Sequence, residues 1–441
     1  MANLFVRSSD GNNSDNGTTW ALAKATLVGA TGIDAAGDTI FLSHTHSEST
    51  ASSVSPAIAG TLAAPTKIIC GNDGAEPPTA LSTAAVVAAT GSNSITITGI
   101  SYYVYGIRFE AGSGANAASI TLGNTFGHNA TFENCQFVLN GTGGGSTINT
   151  GAGGLAYLKK CDVRFGLASN NIGGTGRLVW EGGSLLSGGA SPTAIFGPGL
   201  AGIIVSSVDL SNGAAGMNVF SAIGGTTSPN VIRDCKLPAS WSGVLVSGTP
   251  GQGERYEMYN CDSGDTNYRL WVEDYYGSIK QETTIVRTGG ANDGTTTLSW
   301  KMVSAADVEY PHLRLISPEI VIWNDTTGSA KTVTCEIVHD SAGAGSGSKF
   351  QDDEVWLEVM YLGTSGFPLG AWVTDSKAGV LATAANQADS SETWTTTGLT
   401  TPVKQALSVT FTPQEKGFFV ARVVMAKASK TVYVDPKITV T

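Results

Sequence analysis

The sequence predicts an all-β chain: a parallel β-solenoid followed by an antiparallel β-sandwich of jelly-roll type. Three observations predict it. A short frame recurs every 22 to 28 residues between about residues 104 and 263. The composition favours turns over charge: 56 of 441 residues are Gly and 14% are charged, against about 25% in an average globular protein. After about residue 285 the frame stops and longer strands of alternating polarity take over. Hydrophobic residues make up 41%, enough for a core, which excludes a disordered chain. The glycines follow no three-residue period, which excludes a collagen.

The chain opens with a strand, Leu4-Phe5-Val6, and a turn-rich stretch from Asp10 to Gly17. Apolar residues at helical spacing then predict a short helix over Trp20–Leu27. Ala36-Gly37-Asp38 makes a turn before the strand Thr39-Ile40-Phe41-Leu42. This order resembles the N-terminal cap of right-handed parallel β-helix proteins, and the resemblance implies that the short helix plugs the open end. The early coils run through Lys67-Ile68-Ile69-Cys70 and Ser94-Ile95-Thr96-Ile97. The expected organisation is a cap with the first coil over 1–60, a β-helix over 61–285, a connecting segment over 286–318 and a β-sandwich over 319–441.

Seven copies of the frame carry three inward positions. The first holds Val104, Phe132, Leu158, Trp180, Val205, Ile232 and Met258. The second holds Ile107, Cys135, Cys161, Gly183, Val208, Cys235 and Cys261, at steps of 28, 26, 22, 25, 27 and 26. The third holds Phe109, Phe137, Val163, Leu185, Leu210, Leu237 and Ser263. Equivalent residues of a parallel solenoid stack at about 4.8 Å, so seven coils give roughly 35 Å of rod. Four of the six cysteines thus become an inward column of small apolar side chains. Stacked thiols come near disulfide range, although parallel stacking suits that geometry poorly. One outward column holds Glu133, Lys159 and Glu181, and another Asp209, Lys236 and Asp262. Alternating signs predict cross-strand ion pairs, each worth a fraction of a kcal/mol when exposed.

The C-terminal strands are predicted at 319–323, 331–338, 354–361, 406–411, 417–425 and 431–434, with Gly, Asp, Asn and Ser clusters between them. Ser299-Trp300-Lys301-Met302-Val303 reads as a strand of the same sandwich.

The balance of 25 Lys+Arg against 36 Asp+Glu gives a net charge of -11, without the basic stripe that a nucleic-acid binder shows. No uncharged apolar run reaches the ~18 residues of a membrane span. Met1–Arg7 lacks a basic start followed by an apolar stretch, so no signal peptide is expected. No cofactor is expected either, because Gly141–Ser146 lacks the Lys-Ser/Thr ending of a nucleotide loop and reads as a corner.

Two constellations merit weighing. His44 and His46, with Glu48, have the residue types for a metal, but a polar loop accounts for them as well. Asp262, Asp265, Glu273 and Asp274 lie close in sequence to Tyr268, Trp271, Tyr275 and Tyr276. Glycoside hydrolysis needs two carboxylates across a sugar, and aromatics stack on sugar rings. The same segment also reads as a cap or subunit contact. No residue is assigned as catalytic, cofactor-binding or metal-ligating.

The opening Leu4–Gly11, the stretches Asn16–Trp20 and Ala36–Ile40, the β-helix and the C-terminal sandwich together resemble virion proteins of tailed bacteriophages. The resemblance implies a homotrimer on the virion, made in the host cytoplasm. Some such proteins decorate the head and clamp the major capsid protein. Others are tailspikes that bind or cut host surface polysaccharide. The modest length and the lack of an obvious acid pair favour a non-enzymatic head decoration (cement) protein as the first expectation. A tailspike or glycan depolymerase is the alternative.

Overall fold

The computed structural model describes residues 1–123, 129–151, 153–221, 230–248, 254–264, 267–273, 277–282, 299–304, 315–317, 320–339, 355–363, 403–413, 416–434 and 439–441. The chain forms two compact units, Met1–Asn267 and Tyr268–Thr441.

The first unit is a parallel β-solenoid of about eight turns with three sheets. The first sheet stacks Asn3–Val6, Thr39–Ser43, Thr66–Gly71, Ser101–Tyr105, Asn129–Glu133, Leu155–Lys159, Arg177–Glu181, Gly202–Ser206, Asn230–Arg233 and Arg255–Asp262, all parallel. The second begins as Ser47–Thr50, Ala85–Ala89, Ile107–Ala111, Gln136–Leu139 and Asp162–Arg164. It continues as single bridges through Ser184, Asp209, Lys236 and Asp262. The third sheet has eight strands, running from Ala57–Ile58 to Val246–Ser247.

The first inward column is in register across the first sheet: Val104, Phe132, Leu158, Trp180, Val205, Ile232 and Met258 pair in sequence. All seven are fully buried. A fully buried aliphatic or aromatic side chain contributes about 1.5–3 kcal/mol, so this column is a large share of the solenoid's stability. Mid-rod, the core is aromatic, with Phe109 and Phe137 stacked at 5.9 Å and Phe132 edge-on to Phe137 at 5.2 Å. The cysteines of the second column are buried and free. Where that column meets Gly183, a Cβ would sit 2.0 Å from the Cys161 carbonyl oxygen. Trp180 fills the core there and donates its indole N–H to that oxygen at 3.0 Å.

Each of the seven coils from Ser101–Tyr105 onward turns from the first to the second sheet through a left-handed residue, and Gly183 adds a second one in its coil. Gly106, Asn134, Lys160, Gly182, Ser207, Asp234 and Asn260 have φ of 73, 52, 51, 68, 56, 54 and 50°. Gly avoids the Cβ clash of this conformation, and the short side chains of Asn and Asp tolerate it. Those three types fill all but Lys160 and Ser207. The frame's polar pair before the second inward position is this corner.

The cap departs from the expected helix over Trp20–Leu27. Those residues form one 3₁₀ turn, Trp20–Leu22, and the α-helix is Leu27–Thr31. Strand pairing outcompetes helical spacing here. Lys24 bridges Val6, its amide donating to the Phe5 carbonyl and its carbonyl accepting from the Arg7 amide, both at 2.9 Å. Asn13 Oδ1 accepts from the Ala25 and Thr26 amides at 3.0 and 3.1 Å, which holds the chain extended until Thr26 caps the helix. Trp20 and Ala23 instead cover Phe5 on the outside of the first strand. Leu27 and Ala30 are the fully buried apolar residues of the helix.

The second unit is antiparallel. One sheet contains Gly277–Glu282, Ser299–Ser304, Thr431–Val434, Lys331–His339 and Val403–Phe411 in that order, with Thr439–Val440 also on Lys331–His339. The other places Gly417–Met425 between Val355–Gly363 and the pair Leu315–Ile316 and Ile320–Asn324. Alternate residues of both meet in one core, including Met302, Val333, Cys335, Ile337, Leu407 and Val432 from one side and Val355, Leu357, Val359, Phe419 and Val423 from the other. Strand Ser299–Ser304 belongs to this sandwich. On the opposite face of Val355–Gly363, the buried Glu358 accepts from Trp356 Nε1 at 3.0 Å and from Arg422 Nε and Nη2, both at 2.8 Å.

Candidate functional site

The solenoid core is continuous, so a ligand meets the outward faces of its three sheets. These differ in chemistry because each is built from the alternate residues of a different strand.

The strands of the third sheet carry no charged residue. Outward positions such as Thr96, Thr121 and Asn149 are polar and half-buried. Ser94, Ser119 and Thr147 form a ladder in which the Ser94 and Ser119 hydroxyls accept the Ser119 and Thr147 amides at 3.0 and 3.1 Å.

The first sheet turns out Tyr103, Thr131, Tyr157, Val179, Ile204 and Val231 as one in-register column. Beside it, Glu133 accepts from the Tyr103 hydroxyl at 2.9 Å and pairs with Lys159 at 3.3 Å. Glu181 takes the Tyr157 hydroxyl in place of the Lys159 partner that alternating signs predict. The bond to Glu181, with some burial, pushes the Tyr157 phenol up. Burial and Glu133 do the same for Tyr103.

The second sheet carries the densest line of charge and hydrogen-bonding groups. Arg108, Gln136, Asp162, Ser184, Asp209, Lys236 and Asp262 lie in register on successive coils. Each sits one residue after the second inward column, on the opposite face. Gln136 Nε2 donates to Asp162 Oδ2 at 3.5 Å, and Asp162 Oδ1 accepts from the Ser184 amide at 2.9 Å and hydroxyl at 2.8 Å. Asp209 Oδ1 accepts from the Ser211 amide at 2.9 Å and its hydroxyl at 2.5 Å, while Oδ2 faces Lys236 Nζ at 3.7 Å. Burial opposes charge on Asp209, but the Ser211 bonds and Lys236 outweigh it and hold the carboxyl below the usual carboxylate value. A flanking row adds Glu110 and Arg164, which Asn140 bridges: its Nδ2 donates to Glu110 at 2.9 Å and its Oδ1 accepts from Arg164. Arg108 also pairs with Glu110. These bonds pre-orient donors and acceptors at the ~4.8 Å coil repeat.

Of the sequence-predicted candidates, only Asp262 falls on this ladder. His46 is buried and its Nε2 lies 3.1 Å from Glu48 Oε2, which also accepts the Leu27 amide at 2.7 Å. His44 is half-exposed beside Asp73 at 3.6 Å. The two histidines therefore face different neighbours, and no group of three metal-ligating side chains exists among the described residues. Asp262 is exposed at the end of the second-sheet ladder and accepts the Gly264 amide at 2.8 Å. Tyr268, Trp271 and Glu273 lie on the strand Asn267–Glu273. Asp265, Asp274, Tyr275 and Tyr276 lie outside the described residues. Gly141–Ser146 is a corner between strands Gln136–Leu139 and Thr147–Thr150, where a Cβ on Gly141 would meet the Asn116 carbonyl oxygen at 2.1 Å. Sequence reading found only Asp209, Lys236 and Asp262 of the ladder. The polar residues one place after Ile107, Cys135, Cys161 and Gly183 were the available signal for the rest.

No family model matches the chain, and no curated protein does. Among solved structures it is similar to the enzymatically active domain of tailspike protein 4 of bacteriophage CBA120, at 11% identity and a TM-score of 0.27, over 94% of this chain. This chain spans 65% of the length of that one. It is also similar to the tailspike protein of Acinetobacter phage vB_ApiP_P1, at 10% identity and a TM-score of 0.23, over 92% of this chain and 82% of that one. Neither likeness assigns an activity or a partner to this chain.

Proposed function

We propose that the chain is a tailspike-like virion protein of a phage, which binds host surface polysaccharide along the outward face of the second sheet. The observation that carries this reading is the in-register ladder Arg108, Gln136, Asp162, Ser184, Asp209, Lys236 and Asp262. A polysaccharide presents hydroxyls at regular intervals, and a ladder of fixed carboxylates, hydroxyls and amides meets them with repeated hydrogen bonds. The permanent clamp of a head decoration protein asks for something different, because stable protein interfaces deplete charge from their centres. The head location and capsid partner expected from the sequence have no comparable feature in support. A homotrimer belongs to the same proposal. Its supporting feature is the uncharged first-sheet column from Tyr103 to Val231, in which Ile204 is 39% exposed.

The direct test is binding of purified surface polysaccharide from susceptible host cells to the full chain, by calorimetry. The variant Asp162→Ala/Ser184→Ala/Asp209→Ala is expected to lose at least tenfold in affinity, since one hydrogen bond to a charged group is worth about 1.5–3 kcal/mol. Unchanged affinity would move the site off this face. No binding by the unsubstituted chain would end the reading.

Cleavage is the second reading, and one spacing favours it. Asp162 and Asp209 are two coils apart, about 9.6 Å between their strands, just above the ~6.5–9.5 Å that separates the carboxyls of inverting glycosidases. Release of new reducing ends by the unsubstituted chain, abolished in Asp209→Asn, would establish it. Binding without release would leave a binding protein.

A further inference from the structure

The charged groups on the outward face of the second sheet differ in what they have left to give a ligand. The cations are already engaged: Arg108 pairs with Glu110, Arg164 donates to Asn140, and Lys236 pairs with Asp209 at 3.7 Å. The carboxylates keep acceptor capacity, since each ionised one offers about four lone-pair sites. Asp162 takes donors from Gln136 and from the Ser184 amide and hydroxyl. Asp209 takes the Ser211 amide and hydroxyl besides Lys236. Asp262 takes the Gly264 amide. The donors on Asp162 and Asp262 are neutral, so among the described residues neither charge is paired with a cation.

The three carboxylates also repeat. They occupy alternate coils, with Ser184 and Lys236 between them. Successive ones are about 9.6 Å apart along the rod, a length that two linked pyranose rings cover. Across the rod, the same coils offer Arg164, Ser211 and Gly264, which share no chemistry.

We propose, on the polysaccharide-binding reading of this face, that its ligand is an uncharged polysaccharide lying lengthwise on the rod, with hydroxyls of every second sugar donating to Asp162, Asp209 and Asp262. A sugar hydroxyl reaches a carboxylate without bringing charge of its own, and such a charge-assisted bond is roughly twice as strong as a neutral one. An acidic sugar would set its carboxylate, sulfate or phosphate against Asp162 and Asp262, and like charges repel most strongly where water is excluded. It would also have to draw Arg108 from Glu110 and Lys236 from Asp209. The chain as a whole carries a net charge of -11, which slows the approach of a polyanion. An uncharged polymer meets none of this opposition.

The test separates purified host surface polysaccharide into acidic and uncharged fractions on an anion exchanger and titrates each into the full chain by calorimetry. The uncharged fraction is expected to bind, with an affinity that changes less than about twofold across roughly a tenfold range of salt. Asp162→Asn, Asp209→Asn and Asp262→Asn keep an acceptor oxygen for the bonds within the face and remove only the charge. Each is expected to weaken binding about three- to tenfold, the difference between a charged and a neutral acceptor. Binding confined to the acidic fraction, or tighter binding by the Asn variants, would overturn the proposal and leave this face as the site of an acidic polymer. A loss in one variant alone would overturn it as well, since a polymer lying across the rod meets a single coil. Unchanged affinity in all three variants, or no binding by either fraction, would overturn the reading of the face itself and the proposal with it.

Discussion

The solenoid and the sandwich bury similar side chains by different routes. In the solenoid, a core residue stacks on its own equivalent one coil away, 22 to 28 residues along the chain. In the sandwich, Val333 pairs with Val409, and Trp300 with Val434, across much longer separations. The difference teaches where specificity resides. A solenoid coil needs its corner, because one misplaced residue moves every inward side chain to the other face. A sandwich strand needs its partner, because alternation alone does not say which strand lies beside it.

The largest expected effect would break the comparison if it crossed between the units. Glu358→Ala removes the buried carboxylate that the half-buried Arg422 bonds, at a cost of up to about 3–5 kcal/mol. Trp180→Ala opens the solenoid core at a similar cost of about 3–5 kcal/mol. Urea unfolding followed separately by proteolysis within each unit should show Glu358→Ala lowering the midpoint of the second unit, and Trp180→Ala that of the first. A common shift of both midpoints would mean the two units unfold as one.

Corner substitutions sharpen the account of the solenoid. Gly183→Ala forces a Cβ to within 2.0 Å of the Cys161 carbonyl, and a backbone clash of this kind should destabilise by about 1–3 kcal/mol. Lys160→Gly and Ser207→Gly should do the reverse. Relief of left-handed strain of about 1–2 kcal/mol is partly offset by the extra chain entropy of glycine, about 0.5–1 kcal/mol. A gain of about 0.5–1 kcal/mol in unfolding free energy, read as a higher urea midpoint, is expected, and a loss would show that the corner φ is unstrained.

The smallest expected effect is electrostatic. The folded-state pKa of Asp209 is depressed, so its contribution is present above the unfolded value of 3.8. It is lost as pH falls through the lower folded value. With the side chain 44% exposed, solvent screening limits the effect to a fraction of a kcal/mol. Asp209→Asn should therefore flatten the acid limb of the stability–pH curve below about pH 4 and leave neutral stability nearly unchanged.

Much of the solenoid was legible because its period is written in side-chain type. The three inward positions, the cysteine column and the sandwich strands could be read from polarity alone. The corner column was also present, as Asn134, Asp234, Asn260, Gly106 and Gly182, but it looked like ordinary polar filler between core positions. Apart from Ser94–Ile97, the third sheet escaped because its outward residues are small and neutral and its loops vary in length. The cap helix was misplaced because Trp20, Ala23 and Leu27 fit a helical stripe, while the pairing of Lys24 with Val6 is a long-range contact that spacing cannot show. The candidate site was half visible: Asp209, Lys236 and Asp262 stood out by charge, whereas Gln136 and Ser184 belong to the ladder only by register.

The proposed function makes the chain a spike directed at host polysaccharide and not a clamp on the head. Electron imaging of intact virions labelled with an antibody to residues 319–441 tests it most directly. Label at the tail is the expected result. Label distributed over the head would contradict it and return the decoration role to first place.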